Sequence, residues 1–152
     1  MVVTGILEPK RGADVGRVIV RVLVRNYGDM QRAERGEIPA EQVRTVEVDA
    51  LVDTGATFLC LPKSLVDQLG LSFVMNKESR TVAGPITLGI YAPAWIEAQG
   101  RYCITQVLAI PEGRQTLLGQ IPLEMMDWWV DVKNQRLAGN PEHGGEWMAE
   151  IY

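Results

Sequence analysis

Two stretches of the chain alternate apolar and other side chains with a period of two, and this pattern constrains the fold more than any other feature. In Val18–Arg25 every second residue from the first is valine, and Val43–Val52 ends in a similar alternation. Successive side chains of a β-strand point to opposite faces, so each stretch predicts a strand with a buried face. The second stretch runs directly into Asp53, so a strand delivers this carboxylate to the turn that follows.

Shorter signals of the same kind follow along the chain. Short apolar runs, a proline at a helix start, a glycine past a helix end and Gly-containing turns mark these elements. In chain order they are a strand at 58–61, a helix at 62–69, hairpins around 83–85 and 99–101, a helix at 122–127 and a strand at 128–132. We therefore expect an all-β fold, a closed barrel or sandwich of roughly ten short strands with one or two short helices.

Three segments stand outside this pattern. Residues 26–42 are polar and charged and too long for a tight hairpin, so a mobile surface insertion is predicted there. Residues 1–8 and 138–152 each contain a short alternating stretch, which predicts terminal strands that are candidates for a dimer interface. No internal repeat or linker is visible, so we expect residues 1–152 to form one domain with a core at about 15–137.

The composition excludes several classes of function. The 152 residues are 47% apolar and 22% charged with a formal net charge of −4, as in an average globular domain. There is no basic run for nucleic acid, no apolar segment that could cross a bilayer and no visible secretory signal. We predict a cytoplasmic protein that binds neither nucleic acid nor membrane.

Residues that commonly bind metals are few. Cys60 and Cys103 are far apart in sequence and predict two reduced core thiols. The single histidine, His143, predicts a solvated residue of the tail. We therefore expect no metal site and no cofactor.

The sharpest chemical feature is the tripeptide Asp53-Thr54-Gly55. An ionised carboxylate beside a buried apolar strand is costly unless its charge is used, because desolvation disfavours the charged form. The bare tripeptide also occurs as an ordinary turn. Its flanks make it specific here, because an apolar strand precedes it, Ala56 and Thr57 follow it, and another apolar strand comes next.

At these residues the chain resembles the retropepsin-like aspartic proteases, single-domain relatives of pepsin. In that family the Asp-Thr-Gly turn is followed, well downstream, by two apolar residues and a glycine. Leu117, Leu118 and Gly119 fill this second position. The resemblance covers about residues 15–137 and implies the acid-protease fold, and a free-standing chain of this kind is similar to bacterial members.

The resemblance also implies a mechanism. Two carboxylates that share a proton can activate water and protonate the scissile carbonyl, and the resemblance makes Asp53 the catalytic acid of this chain. The chain contains no second Asp-Thr-Gly, so a homodimer is required, with Asp53 of each protomer at the two-fold axis. The resemblance gives Thr54 the role of locking the two turns together. It gives Gly55 a substrate-binding carbonyl and makes 117–119 the backing of the turn.

The candidate flap, a hairpin tip that closes over an extended peptide in this family, is Val82-Ala83-Gly84-Pro85-Ile86. The partners implied are a second copy of the chain and a peptide or protein substrate, and the implied activity is that of an aspartic endopeptidase. The alternative is a catalytically silent dimer of the same fold that binds peptides or assembles partners.

Ala56 bears on the pH range of this chemistry. Pepsin-like members often carry Ser at this position, and its hydroxyl stabilises the ionised carboxylate by donating a hydrogen bond. Because Ala56 cannot donate, we predict the highest activity in mildly rather than strongly acidic buffer.

Overall fold

Strands β1 (Ile19–Asn26) and β2 (Thr45–Val52) pair antiparallel in the computed structural model, which describes residues 17–149. Val18 is buried, and so is every second residue of β1 from Val20 onward, which confirms the predicted alternation. The remaining strands of the described residues are β3 (Leu59–Pro62), β4 (Ser72–Thr81), β5 (Gly84–Ala98), β6 (Arg101–Ile110), β7 (Leu117–Leu118), β8 (Trp128–Asp131) and β9 (Arg136–Gly139).

Six of these strands close into a barrel. Neighbouring strands are hydrogen-bonded in the order β1-β2-β7-β3-β6-β5, and the last part of β5 pairs back onto β1, with Val22 opposite Ala98. β5 can do this because it is long, and its first part pairs with β4, which lies outside the closed ring. β8 and β9 form a separate two-stranded sheet. The predicted all-β, closed-barrel architecture is thus confirmed.

Apolar side chains from distant parts of the chain fill the barrel. Residues with no exposed surface include Val22, Leu59, Ile96 and Leu118, which come from four different strands. Full burial of such a side chain contributes about 1.5–3 kcal/mol. The core therefore holds the strand ends, including the ends of β2 and β7, in fixed positions relative to one another.

In residues 17–149 three helices accompany the barrel, one more than predicted. They are α1 (Tyr27–Glu34), α2 (Lys63–Leu69) and α3 (Gln120–Met125), and short 3-10 turns lie at 40–42 and 141–143. The predicted helix at 62–69 is confirmed, and Gly70 ends it in the left-handed region with φ of 65°. α3 begins two residues before the predicted 122–127, with Pro122 in its first turn, where proline is tolerated.

The helix α1 corrects the prediction for 26–42, which stays at the surface but is largely ordered. Asn26 caps the helix, because its side-chain oxygen accepts the N–H of Asp29 at 2.9 Å. Asp29 is buried and accepts two hydrogen bonds from the guanidinium of Arg44, at 2.8 and 2.9 Å. These bonds lower the pKa of Asp29. A helix cap and an ion pair therefore fix a segment whose composition alone indicates a loop.

Both predicted hairpins are present. β5 and β6 join through Gln99 and Gly100, as predicted. β4 and β5 join through a turn of Val82 and Ala83, one residue earlier than expected. This hairpin is also longer than the sequence indicates, because β4 already begins at Ser72.

The predictions for the two ends of the chain have different outcomes. Residues 1–8 lie outside the described part of the chain, so the strand predicted there remains a prediction. Residues 144–149 form no strand, although an alternating stretch at 147–151 predicted one. Instead, the Trp147 ring packs edge-on against Tyr102, with centroids 5.3 Å apart. In the range 17–149 no helix has the length and apolar character needed to cross a membrane.

Candidate active site

Asp53 lies where β2 leaves the barrel. Its backbone N–H donates to the carbonyl of Leu118 at 3.0 Å, which extends the parallel pairing of β2 with β7 by one residue. Ala50, three residues earlier, is completely buried, whereas Asp53 is half-buried and Thr54 is exposed. The strand therefore carries the carboxylate out of the core and stops at the surface, as the sequence predicted.

A tight turn orients the Asp53 carboxylate. The N–H of Gly55 donates to Oδ1 of Asp53 at 2.8 Å, and the N–H of Ala56 donates to the Asp53 carbonyl at 3.0 Å. A Cβ on residue 55 would lie 3.1 Å from that same Oδ1, so glycine gives the carboxylate its room. Among residues 17–149, no group donates to Oδ2 of Asp53.

Gly119 joins the second motif to this turn through close backbone contact. A Cβ at this position would lie 2.3 Å from the carbonyl oxygen of Phe58 and 2.7 Å from that of Ala56. No real Cβ contact is this short, so only glycine fits unless the backbone moves. The structure thus brings Gly119 against the Asp53 turn, and Leu117 and Leu118 pair with the last two residues of β2 before it.

The start of α3 strengthens the same junction. The N–H of Gln120 donates to the Ala56 carbonyl at 2.8 Å, and the N–H of Ile121 donates to the Thr57 carbonyl at 2.9 Å. The first N–H groups of a helix have no partner within the helix, so the turn after Asp53 satisfies both. Sequence reasoning did not assign Gln120 or Ile121 to the site, although a helix start directly after a buried glycine was a usable signal.

Cys60 is a core residue close to the Asp53 turn, and its thiol is titratable. Burial raises the pKa of its thiol to about 11, and the negative charge of Asp53 adds to the effect. Burial likewise raises the pKa of Cys103 to about 12. Both cysteines are free and buried, which confirms the prediction of reduced core thiols. Thiols with such high pKa values are poor nucleophiles.

The predicted flap residues form the tip and first strand residues of the β4–β5 hairpin. Val82 is fully exposed at the tip, and the Thr81 hydroxyl donates to the Gly84 carbonyl at 2.7 Å. Gly84 has φ of 114°, a backbone conformation that favours glycine. Pro85 lies in β5, opposite Arg80, rather than in the turn.

Two of the grooves in the described part of the chain bear on the Asp53 turn. The first, here called the hairpin groove, has a volume of about 310 Å³ and runs between the β4–β5 hairpin and the loop that leads into β7. Thr81, Ile86 and Leu88 line one side, and Ile110, Arg114 and Leu117 line the other. The second, here called the Trp groove, has a volume of about 410 Å³. Its lining residues include Thr54, Gln120, Trp128 and Trp129.

Asp127 and His143 form a buried pair at the edge of the Trp groove. Nδ1 of His143 lies 2.6 Å from Oδ2 of Asp127, and the His143 side chain is only 11% exposed. The prediction that His143 is a solvated tail residue was therefore wrong. The reason is that the 3-10 turn at 141–143 folds the tail back over the start of β8, a long-range contact that local composition does not indicate. Within residues 17–149, no cluster of three or more His, Cys, Asp or Glu side chains is placed to hold a metal ion.

Comparison with known proteins agrees with this geometry. A family model described as aspartyl protease, from the retropepsin-like clan, matches residues 39–120, more than half of the chain. The match includes both the Asp53 turn and Gly119. No curated protein sequence matches the chain significantly.

Proposed function

The chain belongs to the retropepsin-like aspartyl protease family, and on that premise we propose that it is an endopeptidase whose active site forms at a homodimer axis. Asp53 of each protomer supplies one carboxylate of the catalytic dyad. The observation that carries the proposal is the Asp53 turn itself, at the end of β2, in which the Gly55 N–H holds Oδ1 while no donor from residues 17–149 reaches Oδ2.

The chemistry needs two carboxylates. One, ionised, removes a proton from the attacking water, while the other, protonated, donates to the carbonyl oxygen of the scissile bond. Two carboxyl groups about 3 Å apart cannot both ionise, so they share one proton and fill both roles. The described residues contain a single Asp-Thr-Gly turn, and no other carboxylate among them forms a hydrogen bond with Asp53. A second chain is the simplest source of the partner acid.

The surface around Thr54 supports pairing with a second copy. Thr54 and Gly55 are exposed, so in this proposal they face the same turn of the partner across a two-fold axis. Beside them, along the Trp groove and α3, Trp129 is 46% exposed and Met125 is 47% exposed. Large apolar side chains grouped at a surface commonly mark an interface. Retropepsin-like proteases in general act as dimers on peptides, which agrees with this arrangement.

The test compares purified wild type with Asp53→Asn on a diverse peptide library between pH 3 and 7. We expect the wild type to cleave, and the variant to lose activity by a factor on the order of 10²–10⁴ because it lacks the proton-transferring group. Asp49→Asn is the matched control, since it makes the same change four residues earlier on β2, where Asp49 forms an exposed ion pair with Arg21. Wild-type cleavage no faster than that of Asp53→Asn would exclude the protease.

The dimer is tested separately by active-site titration with a statine-type transition-state analogue. We expect one bound inhibitor for every two chains, because each dyad uses both protomers. Sedimentation at the assay concentration should show a dimer. Binding of one inhibitor per chain, or a monomer that cleaves, would contradict the shared site while leaving the protease assignment intact.

A further inference from the structure

The hairpin groove is mainly apolar and lies next to the Asp53 turn. Ile86 and Leu88 of β5 face it from the hairpin, and Ile110 and Leu117 close it from the barrel. Leu117 pairs with Leu51, two residues before Asp53, so the groove begins close to the carboxylate. At about 310 Å³ it has room for one large aliphatic or aromatic side chain of an extended peptide.

One charged side chain interrupts this apolar wall. Arg114 lines the groove, and the structure gives its guanidinium no ion pair or side-chain hydrogen bond within residues 17–149. The nearest acid in sequence, Glu112, is already engaged, because its two oxygens accept from the Ser64 backbone N–H and hydroxyl, each at 2.8 Å. The described residues that line the groove include no carboxylate, so among residues 17–149 no acid pairs with Arg114 inside the groove.

We propose that Arg114 determines substrate specificity by selecting peptides that carry an acidic residue close to the large apolar residue held in the hairpin groove. This inference rests on the proposed endopeptidase function and adds the class of its substrate. In an extended peptide, side chains two positions apart share a face. An apolar side chain in the groove and a carboxylate at Arg114 can therefore come from one short segment.

Two-fold symmetry sharpens the proposal. A homodimer presents the hairpin groove and Arg114 twice, once from each protomer, around a single dyad. The peptide runs in one direction across this symmetric site. The preference for an acidic residue near a large apolar one should therefore appear on both sides of the cleaved bond.

The experiment starts from one peptide that the wild type cleaves and places Asp, Asn or Lys, one at a time, at the three positions on either side of the cleaved bond. We expect kcat/KM to be about two- to fivefold higher for Asp than for Lys at one position or more on each side, the range for solvent-exposed ion pairs. The Asp-to-Asn ratio isolates charge from size. Raising the salt to 1 M should reduce the preference, because salt screens exposed charges.

The variants decide the role of Arg114. Arg114→Glu should reverse the order to favour Lys, and Arg114→Lys should keep the order of the wild type. Lys133→Glu is the matched control, because it makes the same change of charge in the exposed turn between β8 and β9 and should keep the wild-type preference. The same order of peptides in wild type and Arg114→Glu would overturn the proposal.

Binding separates this inference from the proposed function. The same peptides are tested for binding to immobilised Asp53→Asn protein, with and without Arg114→Glu, an assay that needs no turnover. A charge preference in binding that reverses with Arg114→Glu supports the inference even if the wild type cleaves nothing, a result that would count against the protease alone. No charge preference in either assay would overturn the inference and leave the protease in place.

Discussion

Asp53 and Asp127 are two acids near the same groove with opposite surroundings. Oδ1 of Asp53 accepts one N–H, and Oδ2 has no donor among the described residues. Asp127 is 7% exposed, and three donors fill its two oxygens: Nδ2 of Asn140, Nδ1 of His143 and the backbone N–H of Met148. Filled acceptors make a structural acid, and an open one leaves a carboxylate free for water, substrate or a second acid.

The pKa of Asp127 follows from the same contacts. Burial acts to raise it, but the hydrogen bonds from His143, Met148 and Asn140 outweigh burial and hold it below the ordinary 3.8. Asp127 is thus kept ionised by groups that it also holds in place. Burial of an acid therefore indicates a functional role only after its hydrogen-bond partners have been counted.

The largest predicted effect comes from replacing Gly119, which supports the Asp53 turn through close backbone contact. In Gly119→Ala the new Cβ would meet two backbone carbonyls at less than 3 Å, so the turn or α3 must move. We expect a loss of about 3 kcal/mol in the free energy of unfolding. Displacement of the carboxylate should also lower kcat/KM on the order of a hundredfold. Denaturant unfolding and peptide cleavage measure the two effects.

Gly28→Ala provides the matched control for that change. A Cβ at this position, in the first turn of α1, meets only the Asn26 side chain, at 3.2 Å. Because alanine is favoured over glycine in helices, stability should change by less than about 1 kcal/mol. Equal stability of Gly119→Ala and wild type would show that the backbone contacts behind Asp53 are not constraining.

The next prediction exchanges each acid for its amide. Asp127→Asn should reduce the free energy of unfolding by about 2 kcal/mol, because an amide cannot accept from all three donors. Asn tolerates the positive φ of 56° at this position, so backbone strain adds little. Asp53→Asn should remain within about 0.5 kcal/mol of wild type while losing activity. Comparable destabilisation by both changes would remove the distinction drawn between the two acids.

The pH dependence of that difference follows from the lowered pKa of Asp127. As pH falls from about 5, the unfolded chain takes up a proton at this residue before the folded one does, so the wild type loses stability. In Asp127→Asn, residue 127 has no carboxylate that could take up this proton. The stability gap between the two proteins should therefore be full near pH 6 and shrink toward pH 3. A gap that is constant with pH would contradict this assignment.

The smallest predicted effect comes from a substitution that gives the Asp53 carboxylate one further hydrogen-bond donor. The surroundings of Asp53 then become more like those of Asp127. Ala56→Ser places a hydroxyl next to the turn, where a hydrogen bond to the ionised carboxylate favours the charged form. We expect the acidic limb of the pH–rate profile to move to lower pH by roughly half a unit to one unit, with little change in stability. Ala56→Thr offers the same hydroxyl donor with more bulk. A pH–rate profile that is unchanged in both variants would contradict this prediction.

The local sequence pattern predicted those strands and helices that have one solvent-exposed face and one buried face. β1 was found because valines alternate along it, and α2 because Gly70 marks its end. β4 was missed from Ser72 onward, because residues 72–78 are exposed on both faces and show no alternation. α1 was missed because its stability comes from the Asn26 cap and the pairing of Asp29 with Arg44, not from an apolar stripe.

Two features of the site can be read from the amino-acid sequence alone: an apolar strand carries Asp53 into a glycine turn, and a second motif ends in Gly119. These are local properties, since side-chain periodicity and turn chemistry act over a few neighbouring residues. Three further features become visible only in the folded chain: Gly119 packs against the Ala56 carbonyl, His143 binds Asp127, and Arg114 lines the hairpin groove. Such contacts depend on barrel closure, which brings together residues far apart in the chain, and no local pattern records which of them will meet.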